Sequence, residues 1–265
     1  DDDACVDGWR PRGAVALPFG SSVLGLATLE SPPRLAVSTP ASLEIEDLAD
    51  PDAPTLLTSH SSFEVGPWGA WGDVAARPGG FVAGAESAAG PMAVYHVILV
   101  DQGPSGSTLG ARSTLTHDVL AVAAEGSEIV AAGTGLISFF SVGSVGLVPG
   151  ATRVLPIEVG GVTGVGLHDG RALVTGWTDT AALVPADPNE VVVLVDLASH
   201  GHRPLWTDAG WLVPQTTNGW VGGSAGLSLV DPATGGSLWL ADAPWVSAFD
   251  AEDGPFAAAR IGDEI

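Results

Sequence analysis

Four aspartates recur at one place in the sequence, a few residues before the apolar stretch that opens a repeated segment: Asp73, Asp118, Asp208 and Asp242. Carboxylates that converge from loops of neighbouring segments supply the oxygen ligands that Ca²⁺ prefers. Two of them at a suitable separation could instead act as the acid and base of a glycoside hydrolase or lactonase. Each aspartate could equally cap its own turn by accepting hydrogen bonds from nearby backbone N–H groups. The sequence leaves these three interpretations open.

Tryptophans stand beside the same loops, at Trp71, Trp211 and Trp245. An indole face next to a carboxylate can bind a sugar or a cationic ligand. Packing between sheets is the alternative, because a large aromatic side chain fills such a space well. His117 directly precedes Asp118 and belongs to the same set of candidate ligand-binding residues.

Motifs of known enzyme classes are absent from the sequence. It has no Gly-x-Ser-x-Gly elbow, Walker loop, Cys-x-x-Cys or His-Glu-x-x-His pattern. We therefore predict no catalytic residue and no cofactor, apart from the Ca²⁺ that the four aspartates could hold. Cys5 is the single cysteine, so an internal disulfide is excluded, and its role is left open.

The elements that would position these residues follow from an internal repeat. Segments of about 45 residues, each with up to four short apolar runs between turn-forming clusters, begin near residues 23, 74, 119, 162, 211 and 246. His168-Asp169-Gly170, Asn218-Gly219 and Glu252-Asp253-Gly254 are hairpin signals at equivalent places. The pattern predicts an all-β fold, a six-bladed β-propeller of four-stranded blades.

The ends of the chain fit this prediction. The last segment has only about two strands, and the apolar run at residues 10–18 could complete it, which would close the ring and leave no exposed edge. We expect residues 1–265 to form a single domain, with residues 1–9 as a flexible tail. The chain does not begin with Met, so we expect a processed chain or a fragment. In such a ring the loops before the innermost strands form one rim, where His117 would face the channel mouth.

Several segments resemble a known family, the LVIVD-type repeat of secreted bacterial propellers. The matching stretches are RLAVSTP (34–40), SLEIEDLADPDAP (42–54), VVVLVDLA (191–198) and GLSLVDPATGG (226–236), whereas the family's tyrosines are nearly all missing. The resemblance implies a propeller, a secreted, periplasmic or cell-surface setting in a bacterium, and a binding scaffold without a catalytic motif.

Composition excludes some partners. There are 31 acidic residues against nine basic ones, all arginine, and the net charge is -22. A nucleic acid is excluded as a partner, because phosphate binding needs a positive surface. The stretch from Ile129 to Val148 carries no charge and has the length of a membrane span. Four glycines divide it in phase with the repeat, so we predict no membrane span.

These observations predict a non-catalytic binding or structural module, secreted or on the cell surface, for a protein or carbohydrate partner. The alternative is a propeller enzyme of the glycoside hydrolase or lactonase type that uses the rim aspartates. The oligomeric state does not follow from the sequence.

Overall fold

The computed structural model of the chain describes residue 15 and residues 22–216, 225–243, 248–251 and 257–260. The predicted closing run at residues 10–18, apart from residue 15, lies outside this part. So do the tail at residues 1–9, Trp245 and the Asn218-Gly219 hairpin.

The described residues form an all-β fold of antiparallel sheets. The first sheet contains β1 (Gly25–Glu30), β2 (Pro33–Ser38), β3 (Ser42–Asp47) and β4 (Thr55–Ser61). The second contains β5 (Ala70–Arg77), β6 (Gly80–Ala89), β7 (Met92–Gly103) and β8 (Gly106–Leu115). The third contains β9 (Ala121–Glu125), β10 (Glu128–Gly133), β11 (Leu136–Gly143) and β12 (Gly146–Val154).

Two further large sheets and a hairpin follow. The fourth sheet contains β13 (Val162–His168), β14 (Arg171–Gly176), β15 (Thr180–Pro185) and β16 (Val193–Asp196). The fifth contains β17 (His200–Gly201), β18 (Leu205–Thr207), β19 (Gly210–Thr216), β20 (Ala225–Val230) and β21 (Ser237–Ala243). The hairpin pairs β22 (Ala248–Ala251) with β23 (Ala257–Arg260). Short 3₁₀ turns at Ser62–Glu64 and Ile157–Val159 precede the second and fourth sheets.

The first strands of successive sheets lie side by side. β1 contacts β5, β5 contacts β9, β9 contacts β13, β13 contacts β18, and β22 contacts β1. The inner strand β1 is buried over all but its last residue, whereas the outer strand β8 is half-buried or exposed along its length. Four large apolar clusters each join two neighbouring sheets, so the core lies between the sheets. This arrangement is the one expected for sheets placed radially around an axis.

The predicted segment starts agree with the first strands of the first four sheets. At the fourth sheet the predicted hairpin is also confirmed, since Asp169 (φ 47°) and Gly170 (φ 67°) both take the positive φ that a type I′ turn requires.

The start of the fifth segment is wrong by one strand. Its innermost strand consists of the short pieces β17 and β18, which both pair with β19, and Trp211 lies in the second strand. The inner strand is interrupted at residues 202–204, which include Pro204, and a proline cannot donate to a strand ladder. The two pieces are too short to be recognised as a strand from sequence alone.

Candidate functional site

Asp73 lies at the axis, where three sheets meet. The register of β5 with β6 shifts between Trp71 and Val74, and such a bulge turns a side chain away from the regular alternation. The carboxylate accepts a hydrogen bond from the backbone N of Val122, in the third sheet, at 2.9 Å. A Cβ on Gly25 would lie 2.5 Å from Asp73 Oδ1, so only glycine leaves room for this carboxylate beside the first sheet.

Arg203 is the partner of Asp73, and it comes from the interruption between β17 and β18. Its Nη2 donates to Asp73 Oδ2 at 3.0 Å, and both side chains are largely buried. The guanidinium also donates to three backbone carbonyls, those of Leu26 (3.0 Å), Val74 (2.8 Å) and Val122 (2.7 Å). One side chain from the fifth segment thus binds the inner strands of the first three sheets.

The backbone of Arg203 is held by the fourth sheet. A Cβ on Gly164 would lie 2.5 Å from both N and Cα of Arg203, so glycine permits this close approach. The hydroxyl of Thr175 donates to the carbonyl of His202 at 2.9 Å, and the hydroxyl of Thr163 donates to that of Gly201 at 2.5 Å. Arg203 therefore connects all five large sheets around the axis.

Asp118 and His117 stand before the third sheet, and both bind within that sheet. The Asp118 carboxylate accepts from Thr134 N at 2.6 Å and from Thr134 Oγ1 at 2.7 Å. His117 is buried; its Nδ1 lies 2.7 Å from the carbonyl of Asp118, and its Nε2 lies 2.8 Å from the hydroxyl of Ser138. Both imidazole nitrogens are occupied, so His117 serves to position this loop.

Asp208 does not share the position of the other two. It is exposed in the turn between β18 and β19, at the opposite end of the inner strand from Asp118. Its placement at the same rim was wrong, for the same reason that the fifth segment was misplaced. Asp242 lies in β21, the outermost strand of the fifth sheet, where its backbone pairs with Gly226.

The tryptophans named as ligand contacts are core residues where the structure describes them. Trp71 and Trp211 are each 1% exposed. Trp71 Nε1 donates to the carbonyl of His60 at 3.0 Å. Trp211 meets the indole of Trp206 edge-on, with ring centroids 5.1 Å apart. Packing, the alternative interpretation, holds for both.

A cavity of about 470 Å³ opens on the axis beside Arg203. Its walls come from inner strands and include Leu29, Ala75, Ala123 and Val165. It reaches the face formed by the turns between first and second strands. At this mouth the lining residues are Glu30, Glu125, Trp206 and the turns at 78–79 and 126.

Beside this mouth lies the one group in the described part of the chain with three metal-ligating side chains within 4.8 Å: Glu125, His168 and Asp169. His168 Nδ1 lies 2.5 Å from Glu125 Oε1, and Nε2 lies 3.5 Å from Asp169 Oδ2. The two carboxylates therefore face different nitrogens of one ring, which suits an imidazole bridging two acids better than a single metal ion. The imidazole also stacks on Trp206, with centroids 3.7 Å apart.

One titratable side chain next to the axis has a shifted pKa. Burial lowers the pKa of His202, and the neighbouring His200 lowers it further. The folded protein therefore favours the neutral imidazole directly before Arg203.

The most informative residue of the axis, Arg203, is one that sequence reasoning missed. The available signal was an arginine followed by proline within the Ser-His-Gly-His-Arg-Pro stretch at 199–204. It could be interpreted only after β17 and β18 had been recognised as the inner strand.

Comparison with solved structures identifies the class of fold. The chain matches a chain from "Crystal Structure of Mitotic Checkpoint Complex" with a TM-score of 0.55 and 12% identity, over 91% of this chain and 88% of that one. It also matches Kluyveromyces lactis Hsv2 with loop 6CD replaced by a Gly-Ser linker, with a TM-score of 0.51 and 14% identity, over 84% of this chain and 66% of that one. These are β-propellers of the WD40/Kelch kind, so the chain has a β-propeller fold.

The likeness extends to the fold alone. No protein-family model matches the sequence, and no curated protein matches it. Among the described residues, no helix has the length and apolar character that crossing a bilayer requires.

Proposed function

We propose that the protein is a non-catalytic interaction module that binds a protein partner through one face of the propeller. The observation that carries this proposal is a set of large, exposed apolar side chains on the face formed by the loops that enter each inner strand. We call this set the apolar face: Phe63, Trp68, Met92, Ile157 and Trp177.

The topology places these residues on one side. In an antiparallel meander, the loop into the first strand and the turn between the second and third strands lie at the same edge. Phe63 and Trp68 lie in the loop before β5, and Met92 lies at the β6–β7 turn. The carbonyl of Pro67 accepts a hydrogen bond from Ala88 N at 2.9 Å, which fixes that loop beside the turn.

Exposure of these groups has no folding benefit. Trp68 is 87% exposed and Phe63 is 81% exposed. Trp68 also has a φ of 54°, a left-handed conformation that is costly for a residue with a Cβ. Contiguous exposed apolar surface commonly marks a protein–protein contact, and tryptophan dominates the binding energy of many such contacts.

The charge of the chain specifies the partner further. With a net charge of -22, the propeller attracts a positively charged surface and repels an acidic one. We infer a basic protein with an apolar patch. A carbohydrate partner has less support, because Trp71 and Trp211 are buried.

Substitution on the apolar face tests the proposal. The immobilised chain would first be used to retain proteins from a culture of the source organism. Each retained protein would then be identified and purified, and its binding to the chain would be measured by calorimetry. We expect Phe63→Ser with Trp68→Ser to weaken binding by at least about thirtyfold. Val145→Ser, which removes an equally exposed side chain at the opposite face, is the matched control and should have no effect. Equal affinity of the partner for the natural chain, the double variant and Val145→Ser would contradict the proposal. Retention of a glycan in place of a protein would contradict the proposed class of partner.

The enzyme alternative has weaker support. Asp73 forms an ion pair with Arg203, and Asp118 accepts hydrogen bonds from Thr134, so both carboxylates have partners that give them a structural role. Calcium binding stays a prediction; a calorimetric titration with Ca²⁺ that shows no heat, together with an unchanged melting temperature, would remove it.

Two finer points complete the proposal. We infer six blades, because the order β22, β1, β5, β9, β13 and β18 gives six neighbouring inner strands. The resemblance to LVIVD-type repeats supports a secreted, periplasmic or cell-surface location in a bacterium. Cell fractionation would test the location.

A further inference from the structure

We propose that the axial cavity beside Arg203 is a binding site for a small organic cation with an apolar body, such as a quaternary ammonium compound. This site lies on the face opposite to the apolar face, and it does not depend on the proposed protein partner.

The cavity has the form of a ligand site. Arg203 lines the cavity, and its guanidinium is held by the carbonyls of Leu26, Val74 and Val122. The volume of about 470 Å³ lies within the range of small-molecule pockets. Leu29, Ala75, Ala123 and Val165 give the walls short apolar side chains, which would contact the body of a ligand.

The charge balance of the lining favours a cation. The lining contains two arginines, Arg77 and Arg203, and each is paired, with Asp101 and Asp73 respectively. Glu30 and Glu125 add two carboxylates at the mouth, and Glu125 also lies beside His168, whose Nδ1 is 2.5 Å from Glu125 Oε1. Glu125 also accepts from Asp169 N at 2.8 Å, which holds its carboxylate at the mouth.

An aromatic ring lies beside these carboxylates. Trp206 lines the cavity and is half-buried, with the imidazole of His168 stacked on the indole and Trp211 at its edge. A positioned indole attracts a cation by its quadrupole, most strongly where water is partly excluded. The combination of an indole, two acids and an apolar wall is complementary to an organic cation and repels an anion.

Calorimetric titration of the whole chain with choline and with benzyltrimethylammonium tests the site, and 3,3-dimethylbutan-1-ol serves as the neutral isostere of choline. We expect saturable binding of at least one cation and about tenfold weaker binding of the alcohol. Trp206→Leu should weaken cation binding about tenfold, and Glu30→Gln about threefold. Glu158→Gln is the matched control. It removes the same charge as Glu30→Gln, and Glu158 is exposed on the other face.

Glu30→Gln keeps the proposal testable if Trp206→Leu does not fold. Glu30 is exposed, so its substitution disturbs the fold less than the substitution of the half-buried Trp206. Absence of saturable binding by both cations would overturn the proposal, as would equal affinities for choline and its isostere in every variant. Saturable binding of Zn²⁺ alone, lost in His168→Gln, would overturn it in favour of a metal centre at Glu125, His168 and Asp169. Retention of cation binding by the Phe63→Ser and Trp68→Ser protein would separate this site from the proposed interaction face.

Discussion

Asp73 and Asp118 recur in successive segments, Asp73 as the fourth residue of β5 and Asp118 three residues before β9, yet their side chains bind different partners. Asp73 reaches the axis and binds a guanidinium and a backbone N–H from two other sheets. Asp118 is half-buried and binds a threonine of its own sheet. The bulge in β5 accounts for the difference, because it turns the Asp73 side chain toward the axis. A repeated residue in a propeller therefore need not have a repeated function.

The largest effect is expected from breaking the axial contact. Arg203→Met would leave the Asp73 carboxylate buried without its counter-charge, so we expect the free energy of unfolding to fall by about 3–5 kcal/mol. Urea denaturation measures this change. Arg171→Met is the matched control; it breaks the Arg171–Glu190 pair, in which both side chains are nearly half exposed, and should cost at most about 1 kcal/mol.

A second variant sharpens this result. In Asp73→Asn with Arg203→Met, neither charge is left alone, so the loss of stability should be smaller than the sum of the two single losses. Strict additivity, or an Arg203→Met protein as stable as Arg171→Met, would show that the two side chains do not act as a pair.

A pH dependence is expected near the same axis. His202 has a lowered pKa in the folded protein, whereas in the unfolded chain it titrates near its ordinary value of about 6.5. The unfolded chain therefore binds the proton more readily, and the contribution of His202 to stability is complete above about pH 6.5 and is lost as the pH falls below it. Denaturation at pH 7.5 and pH 5 should show a smaller loss for His202→Gln than for the natural chain. Identical losses would contradict the assignment.

The smallest effect is expected at Asp118. Asp118→Ala removes two hydrogen bonds to Thr134 in a half-exposed place, so we expect a loss of about 1 kcal/mol. Asp208→Ala, at an exposed turn, should change stability by no more than about 0.5 kcal/mol. A loss at Asp118 as large as that of Arg203→Met would remove the distinction between the axis and the rim.

Much of the fold could be predicted from the sequence, because turns and short apolar runs are local signals. The all-β class, the four-stranded sheets and the hairpin at Asp169 and Gly170 follow from them. The prediction failed in the fifth segment, where the inner strand is divided into pieces of two and three residues. Pieces of this length are too short for a periodic pattern to reveal.

The site was harder to predict than the fold. Recurrence identified Asp73, but nothing in the sequence relates it to Arg203, which lies 130 residues away. The role of each tryptophan was ambiguous, because the same large aromatic side chain suits both packing in the core and contact with a ligand. The exposed Trp68 and the half-buried Trp206 became distinguishable from the buried Trp71 only in three dimensions.

The reach of Arg203 has a consequence for the order in which the chain folds. Its hydrogen bonds join residues separated by 177, 130, 129 and 81 positions. Contacts of such separation form late, because the intervening chain must first be brought together. During synthesis, the first three sheets emerge well before Arg203 does, so the Asp73 carboxylate and the three inner carbonyls can bind its guanidinium only after the fifth segment has emerged. Emergence of the segment with β17 and β18 is thus the step at which one side chain can join the inner strands of the first three sheets.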